Sequence, residues 1–144
     1  MKFNFPQECY YDRANHLWVK LTAPAQALAG IDALGLEALG DLAYLALPEI
    51  GAQVTRAKAM GTLEAAKMTG ELIAPISGTV VARNERVLRD PSLVNRDNYG
   101  DGWLVAISAS DWTAESADLV YGDQVAAWAE QEIERYRSQG WIND

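Results

Sequence analysis

Neither a zinc site of the usual Cys/His kind nor an intrachain disulfide can be built from this sequence, because its 144 residues include one cysteine, Cys9, and one histidine, His16. Basic runs are missing too. Twelve Lys and Arg against 20 Asp and Glu give a formal net charge of −8. An acidic chain without a basic cluster repels phosphate backbones, which removes most of the non-specific attraction to nucleic acid. No window approaches the roughly 18 consecutive apolar residues of a membrane span, and Met1-Lys2-Phe3-Asn4 lacks the basic region and apolar core of a signal peptide. The expectation is a soluble, cytoplasmic chain with neither nucleic acid nor membrane as partner. Catalytic triads, phosphate-binding glycine loops and paired-carboxylate sites are absent as well, which points away from an enzyme. An apolar fraction of 49% with 22% charged residues fits one ordinary globular domain.

What is present is a change of texture along the chain. Tyr10-Tyr11-Asp12 and His16-Leu17-Trp18-Val19-Lys20-Leu21 cluster aromatic and branched residues and read as a short strand, broken by Ala23-Pro24-Ala25. Residues 32–39 read as a helix of two turns at most, with Asp32 as N-cap and Gly40 at C′, although Gly35 in its middle is a poor helix former. Residues 41–107 consist of short apolar runs between Pro, Gly and Asn, the pattern of a series of short strands. Inside them, Leu47-Pro48-Glu49-Ile50-Gly51-Ala52-Gln53-Val54 and Ala74-Pro75-Ile76-Ser77-Gly78-Thr79-Val80-Val81 carry Pro and Gly at the same offset. Shared turn chemistry of that kind predicts two similar hairpins related by a pseudo-twofold, and from them two quasi-symmetric sheets. From Thr113 onward the chain turns helical, and Val125, Ala129, Ile133 and Tyr136 make an apolar stripe that packs on the outside of a sheet. The tail Gly140-Trp141-Ile142-Asn143-Asp144 is read as docked, the alternative being an exposed apolar patch for a partner.

Between the two similar turns lies Gly61-Thr62-Leu63-Glu64-Ala65-Ala66-Lys67-Met68-Thr69-Gly70-Glu71-Leu72-Ile73-Ala74-Pro75. Strand-like runs lead up to Ala65 and away from Glu71, which sets Lys67 at a hairpin tip, held out into solvent where an enzyme can bring an activated acyl group to its amine. Taken alone, Lys67 is one more wet surface lysine.

The segment resembles the modified-lysine hairpin of biotinyl and lipoyl carriers, and the resemblance continues on both sides into one family. Glu37-Ala38-Leu39-Gly40-Asp41-Leu42, Leu47-Pro48-Glu49, Gly51, Gly61 and Leu63-Glu64-Ala65-Ala66-Lys67 look like the H protein of the glycine cleavage system. So do Ala74-Pro75-Ile76-Ser77-Gly78, Leu93-Val94-Asn95 and Tyr99-Gly100-Asp101-Gly102-Trp103-Leu104-Val105. The resemblance implies a mainly β fold of the lipoyl/biotinyl hammerhead type, a barrel-sandwich hybrid of two quasi-symmetric sheets. A single domain, 1–144, would have its core at about 10–112 and a helical C-terminal extension at about 113–144. It also implies lipoate in amide linkage to Lys67, on a monomeric carrier without catalysis of its own. The dithiolane would supply the group-carrying chemistry, and the protein a rigid post whose tether makes each visit to a partner's active site a local event. Implied partners are a lipoate-protein ligase or lipoyl transferase, dihydrolipoamide dehydrogenase, and the enzymes that load and unload the arm. Glu64 and Glu71 beside Met68 form an acidic collar for ligase or partner recognition, or are two solvated strand-edge carboxylates. His16, Leu17, Tyr99, Gly100 and Trp103 are assigned by the resemblance to the cleft that receives the arm, with His16 otherwise a packed strand residue.

The sequence also departs from the family. Its usual His-Glu-Trp is here His16-Leu17-Trp18. The family's glutamate helps to hold the aminomethyl cation, and a leucine cannot stabilise a desolvated ammonium; Glu71 is the candidate to compensate. Ala66-Lys67-Met68 replaces the usual Val-Lys-Ala and borrows one flank of the biotinyl Met-Lys-Met, and residues 121–144 differ from the usual ending. These departures resemble H-like lipoate-binding proteins that serve a heterodisulfide-reductase-like sulfur oxidation system, whose cargo would be sulfur on the dihydrolipoyl thiols and needs no ammonium-binding acid. The expectation is therefore a carrier of sulfur intermediates for a heterodisulfide-reductase-like complex. The alternative is an authentic glycine cleavage component carrying an aminomethyl group, with a biotinyl carrier or an unmodified interaction module behind both.

Overall fold

Three consecutive buried residues, Leu17, Trp18 and Val19, show how the layers are stacked. In a strand, successive side chains point to opposite faces. Leu17 and Val19 accordingly enter the main core while Trp18 enters a second cluster with Tyr11, Val125 and Trp128 on the other side. The sheet is thus covered on both faces.

The computed structural model describes residues 3–143; Met1, Lys2 and Asp144, the last residue of the tail, lie outside the described residues. The strands are β1 (Tyr10–Tyr11), β2 (Leu17–Ala23), β3 (Gln26–Ile31), β4 (Leu42–Ala46), β5 (Gln53–Val54), β6 (Ala59–Ala65), β7 (Thr69–Ile73), β8 (Gly78–Arg83) and β9 (Val105–Ala109). They form a six-stranded sheet in the order β1-β2-β3-β9-β8-β5 and a three-stranded sheet in the order β4-β6-β7. Every pairing is antiparallel. Among the described residues five helices accompany them, four short and one of four turns: α1 (Ala33–Leu39), α2 (Glu85–Arg89), α3 (Ser92–Arg96), α4 (Trp112–Ser116) and α5 (Gln124–Ser138). No described helix is long and apolar enough to cross a membrane.

The mainly β, two-sheet fold agrees with expectation, and α1 has the expected ends: the Asp32 side chain accepts from the Gly35 N–H, and Gly40 sits at φ 79°. The two sheets, of six and three strands, do not close into a barrel, in keeping with a barrel-sandwich hybrid. The repeat is real as a local twofold, because its two copies pair with each other: Gln53 faces Thr79 and Val54 faces Gly78. Other expectations are corrected. α2 and α3 lie inside the stretch read as strands only, since apolar pairs such as Val87-Leu88 and Leu93-Val94 are too short for periodicity to separate helix from strand. β3, Gln-Ala-Leu-Ala-Gly-Ile, went unread because alanine and glycine carry little strand propensity; its place between β2 and β9 makes it a strand. The tail divides. Ile142 is buried beside Phe3, Leu34 and Tyr136, whereas Trp141 stays about half exposed.

Gly78 opens β8 at φ 157°, and a Cβ built there would stand 2.0 Å from the Ser108 carbonyl oxygen on β9. Backbone occupies that space, so relief requires the β8–β9 pairing to part. Gly78→Val is expected to destabilise the protein by at least about 2 kcal/mol, read as a lowered denaturation midpoint; equal midpoints would refute this close approach.

Candidate functional site

β6 and β7 pair through Thr62 with Glu71 and Glu64 with Thr69, which leaves Ala66, Lys67 and Met68 as the hairpin tip. The tip is anchored rather than free. The Ala66 N–H donates to Asp41 O at 2.9 Å and the Lys67 N–H to Leu39 O at 3.0 Å, so the tip's backbone donors meet carbonyls at and just beyond the end of α1, some of which the helix itself leaves orphaned. The exposed Lys67 amine lies back over the same helix end and donates to Glu37 O at 2.8 Å. A cation is favoured at a helix C-terminus. Asn95 braces this junction: its Nδ2 donates to Gly40 O at 3.0 Å and its Oδ1 accepts from the Leu42 N–H at 2.9 Å. The sequence marked Leu93-Val94-Asn95 as a motif without showing this role. Leu93 and Val94 bury the other side of the motif, so the brace rests on the core.

Beside the tip a cleft of about 200 Å3 opens between β7, the start of β2 and α1, lined by Leu17, Ile31, Leu63, Leu72, Met68 and Tyr136 among others. Leu17 is buried in it, and His16 also lines it. Of the described residues lining the cleft, Glu71 is the one carboxylate. The register places Glu71 and Glu64 on the outer, exposed face of the hairpin, opposite to Leu63 and Leu72. Glu71 therefore stands at the rim, not on the floor.

Tyr99, Gly100 and Trp103, expected around the arm, do not line this cleft. The Asp97 backbone and carboxylate gather the turn, accepting from the N–H groups of Gly100, Asp101 and Gly102. The Tyr99 hydroxyl donates to Asn4 O and accepts from the Ala33 N–H, tying the N-terminal arm to α1. Trp103 packs against the cluster of Tyr11, Trp18 and Trp128. These residues hold the scaffold on the far side of β2. Tyr136 on α5, which the sequence marked only as part of a core stripe, lines the cleft instead.

His16 is the most constrained residue nearby. It immediately precedes β2 at φ 58°, an uncommon backbone conformation for a side-chain-bearing residue. Its Nδ1 donates to Asp32 Oδ2 and its Nε2 to Glu132 Oε1, both at 2.8 Å, while Trp128 stacks on the ring at 5.2 Å. With both carboxyls ionised, the two bonds need a proton on each ring nitrogen, which is the imidazolium form. Burial opposes that charge, but the hydrogen bonds and charges of Asp32 and then Glu132 outweigh it, and the net effect raises the His16 pKa. Burial also pushes the Asp32 carboxyl upward, against the pull of His16. Glu132 feels burial upward, yet the Arg135 and His16 hydrogen bonds leave it lowered. Cys9, the other reactive type in the chain, is buried, with desolvation first among the causes that raise its thiol to about 11. It is protonated and inert at neutral pH.

Comparison with known proteins bears on the family and the fold. A family model described as "Glycine cleavage H-protein" matches residues 9–132. The chain is 36% identical to the glycine cleavage system H protein of Nostoc punctiforme over 132 residues, which covers 92% of this chain and all of that one. It is 41% identical to the Mycobacterium avium protein of the same name over 115 residues, 79% of this chain and 86% of that one. The crystal structure of a glycine cleavage system H protein from Mycobacterium marinum superposes with a TM-score of 0.73 at 30% identity, covering 89% of this chain and 98% of that one.

Proposed function

The chain belongs to the glycine cleavage H-protein family, and from that premise we propose that it is a lipoyl-lysine carrier with Lys67 as the attachment residue, carrying an aminomethyl group between glycine cleavage enzymes. Members of this family carry lipoate covalently on a lysine. The observation that supports Lys67 is its placement. Among the described lysines, Lys20 lies within β2 and Lys58 in the bend before β6, whereas Lys67 tops a hairpin, anchored through its backbone and flanked by cavities. Lys67 would hold lipoate in amide linkage, and the dithiolane would supply the sulfur atoms for group-carrying chemistry.

The chain's own residues position and shield. The anchored tip fixes where the arm starts, which keeps its search local. Leu17, Leu63 and Leu72 give the cleft an apolar lining that limits water beside the cargo, and Glu71 at the rim is the acid placed to meet a cation. Glu64 and Glu71, both exposed on the outer face, form the collar offered to the attaching ligase or transferase. Dihydrolipoamide dehydrogenase completes the partner set, and the protein itself performs no catalysis.

A second reading, sulfur cargo for a heterodisulfide-reductase-like complex, draws on one specific observation: Leu17 puts an alkyl side chain in the cleft where a carboxylate would meet the ammonium. The relatives' names support the first reading, which reverses the preference drawn from the sequence alone.

The test loads lipoylated protein with both cargoes. Wild type is expected to accept an aminomethyl group from glycine in the presence of glycine decarboxylase and to retain it against loss of ammonia. Glu71→Gln should shorten that lifetime, and Leu17→Glu should lengthen it about tenfold, the effect of one added charge-assisted hydrogen bond. Wild type that takes sulfane sulfur but no aminomethyl group would establish the second reading instead.

A further inference from the structure

We propose that the segment following α5 provides a second seat for the arm, an apolar recess in which Trp141 covers the dithiolane between visits to partner enzymes. This rests on Lys67 as the attachment residue. The recess, of about 480 Å3, is lined by Ala38, Lys67, Met68, Tyr136, Gly140 and Trp141. Lys67 is itself a wall, so a group attached to its amine has the recess directly beside its starting point.

Two of the large hydrophobic side chains that the protein leaves in water face this one space: Met68 is 51% exposed and Trp141 47%. Side by side they make an apolar surface that gains free energy when covered. Their chemistry suits the occupant, since a thioether and an indole face are soft, polarisable partners for disulfide sulfur. Among the described residues lining the recess Lys67 is the one charged residue, and amide formation removes that charge.

The wall is held in place before anything binds. Tyr136 and Trp141 meet edge to face with ring centroids 5.0 Å apart, and the Trp141 N–H donates to Tyr136 O at 2.9 Å. The Arg135 guanidinium lies 5.1 Å from the Tyr136 ring centroid and 5.6 Å from that of Trp141, while its hydrogen bonds to Glu132 fix it in turn. Beyond Trp141, buried Ile142 plugs the segment onto Phe3 and Leu34. Such preorganisation lowers the ordering cost of binding. The intended occupant is the arm rather than a separate protein, because tethering at Lys67 supplies it at an effective concentration on the order of millimolar.

The family match ends at residue 132, so Tyr136, Gly140 and Trp141 belong to a part of this chain beyond it. Tyr136 is the partition: it also lines the cleft that holds Leu17 and packs edge-on against His16 at 5.1 Å. The arm passes between the two seats by crossing one ring.

The experiment uses full-length lipoylated protein, verified by intact mass, and measures the rate at which a water-soluble phosphine reduces the dithiolane. Wild type is expected to react more slowly than Trp141→Ala, by roughly tenfold if the indole contributes one aromatic contact, and Trp141→Phe should stay close to wild type. Disulfide contact should also quench the Trp141 emission of the oxidised protein and release it on reduction, a change missing in Trp141→Phe. Matching melting curves exclude unfolding as the cause. Equal reduction rates in all three proteins without quenching would overturn the second seat while leaving Lys67 as the attachment residue; no lipoyl increment on Lys67 would overturn both.

Discussion

Lys67→Arg protein co-expressed with a competent ligase is expected to show no lipoyl increment by intact mass, where wild type gains a single one. The expected loss is complete because acylation needs an amine that deprotonates and attacks, and a guanidinium does neither at neutral pH. The folded protein should barely notice. Lys67 is exposed, its one side-chain hydrogen bond runs to the Glu37 carbonyl, and an arginine donor reaches the same acceptor, so stability should change by less than about 0.5 kcal/mol. The Ala66 and Lys67 backbone bonds that anchor the tip do not depend on the side chain. An increment that persists in Lys67→Arg would refute the assignment. A biotin increment would move the protein to the biotinyl carriers, and an unmodified wild type under every ligase tried would leave an interaction module.

Removing the His16 imidazolium should unsettle the fold far more. His16→Leu keeps an apolar body of similar reach but leaves Asp32, with no exposed side-chain surface, facing a hydrocarbon, and releases Glu132 on α5. Breaking one partner out of a buried charged network costs about 3–5 kcal/mol, measurable by denaturant unfolding; a loss below about 1 kcal/mol would refute the imidazolium. The pH dependence has a definite sign. A folded pKa raised above the ordinary histidine value of 6.5 means that the His16 contribution is complete below about pH 6.5 and is lost as pH rises through the folded value. Asp32, raised mainly by burial, acts in the same direction. Glu132 is lowered, so its contribution exists above about 4.5 and is lost as pH falls. Wild type should therefore weaken on the alkaline side of the histidine range, whereas in His16→Leu the histidine step is gone and the loss with rising pH follows the buried Asp32 carboxyl alone.

The hairpin and the helix ends around Lys67 are legible in the sequence, and the reason is local chemistry. Lys67 stood out because strand-like runs on either side force a tip, and α1 was bounded correctly because Asp32 and Gly40 have the side-chain oxygen and the positive φ that helix ends require. The α5 stripe was legible for the same reason, since a 3.6-residue period marks a face. What lay across that face was not. Residues 16, 32 and 132 become one network only when α5 packs over the start of β2, and no spacing in the chain announces a contact between residues so far apart.

The residues around Asp97 teach the same lesson from the other side. Tyr99, Gly100 and Trp103 sit in a motif that turns tightly around Asp97, and only the packing of Trp103 and Tyr99 around Trp18 shows that they face away from the cleft. Strand β3 and helices α2 and α3 depended on neighbours as well, their own residues being ambiguous. By itself the sequence determined what is encoded in adjacent residues: helix caps, the alternating hairpin, the lysine at its tip and the acidic, disulfide-free character of the chain. Tertiary structure alone decided which surfaces meet: the unequal sheets, the buried His16 charge network and the recess walled by Met68 and Trp141. Burial and desolvation act through space, where distance along the chain has no bearing.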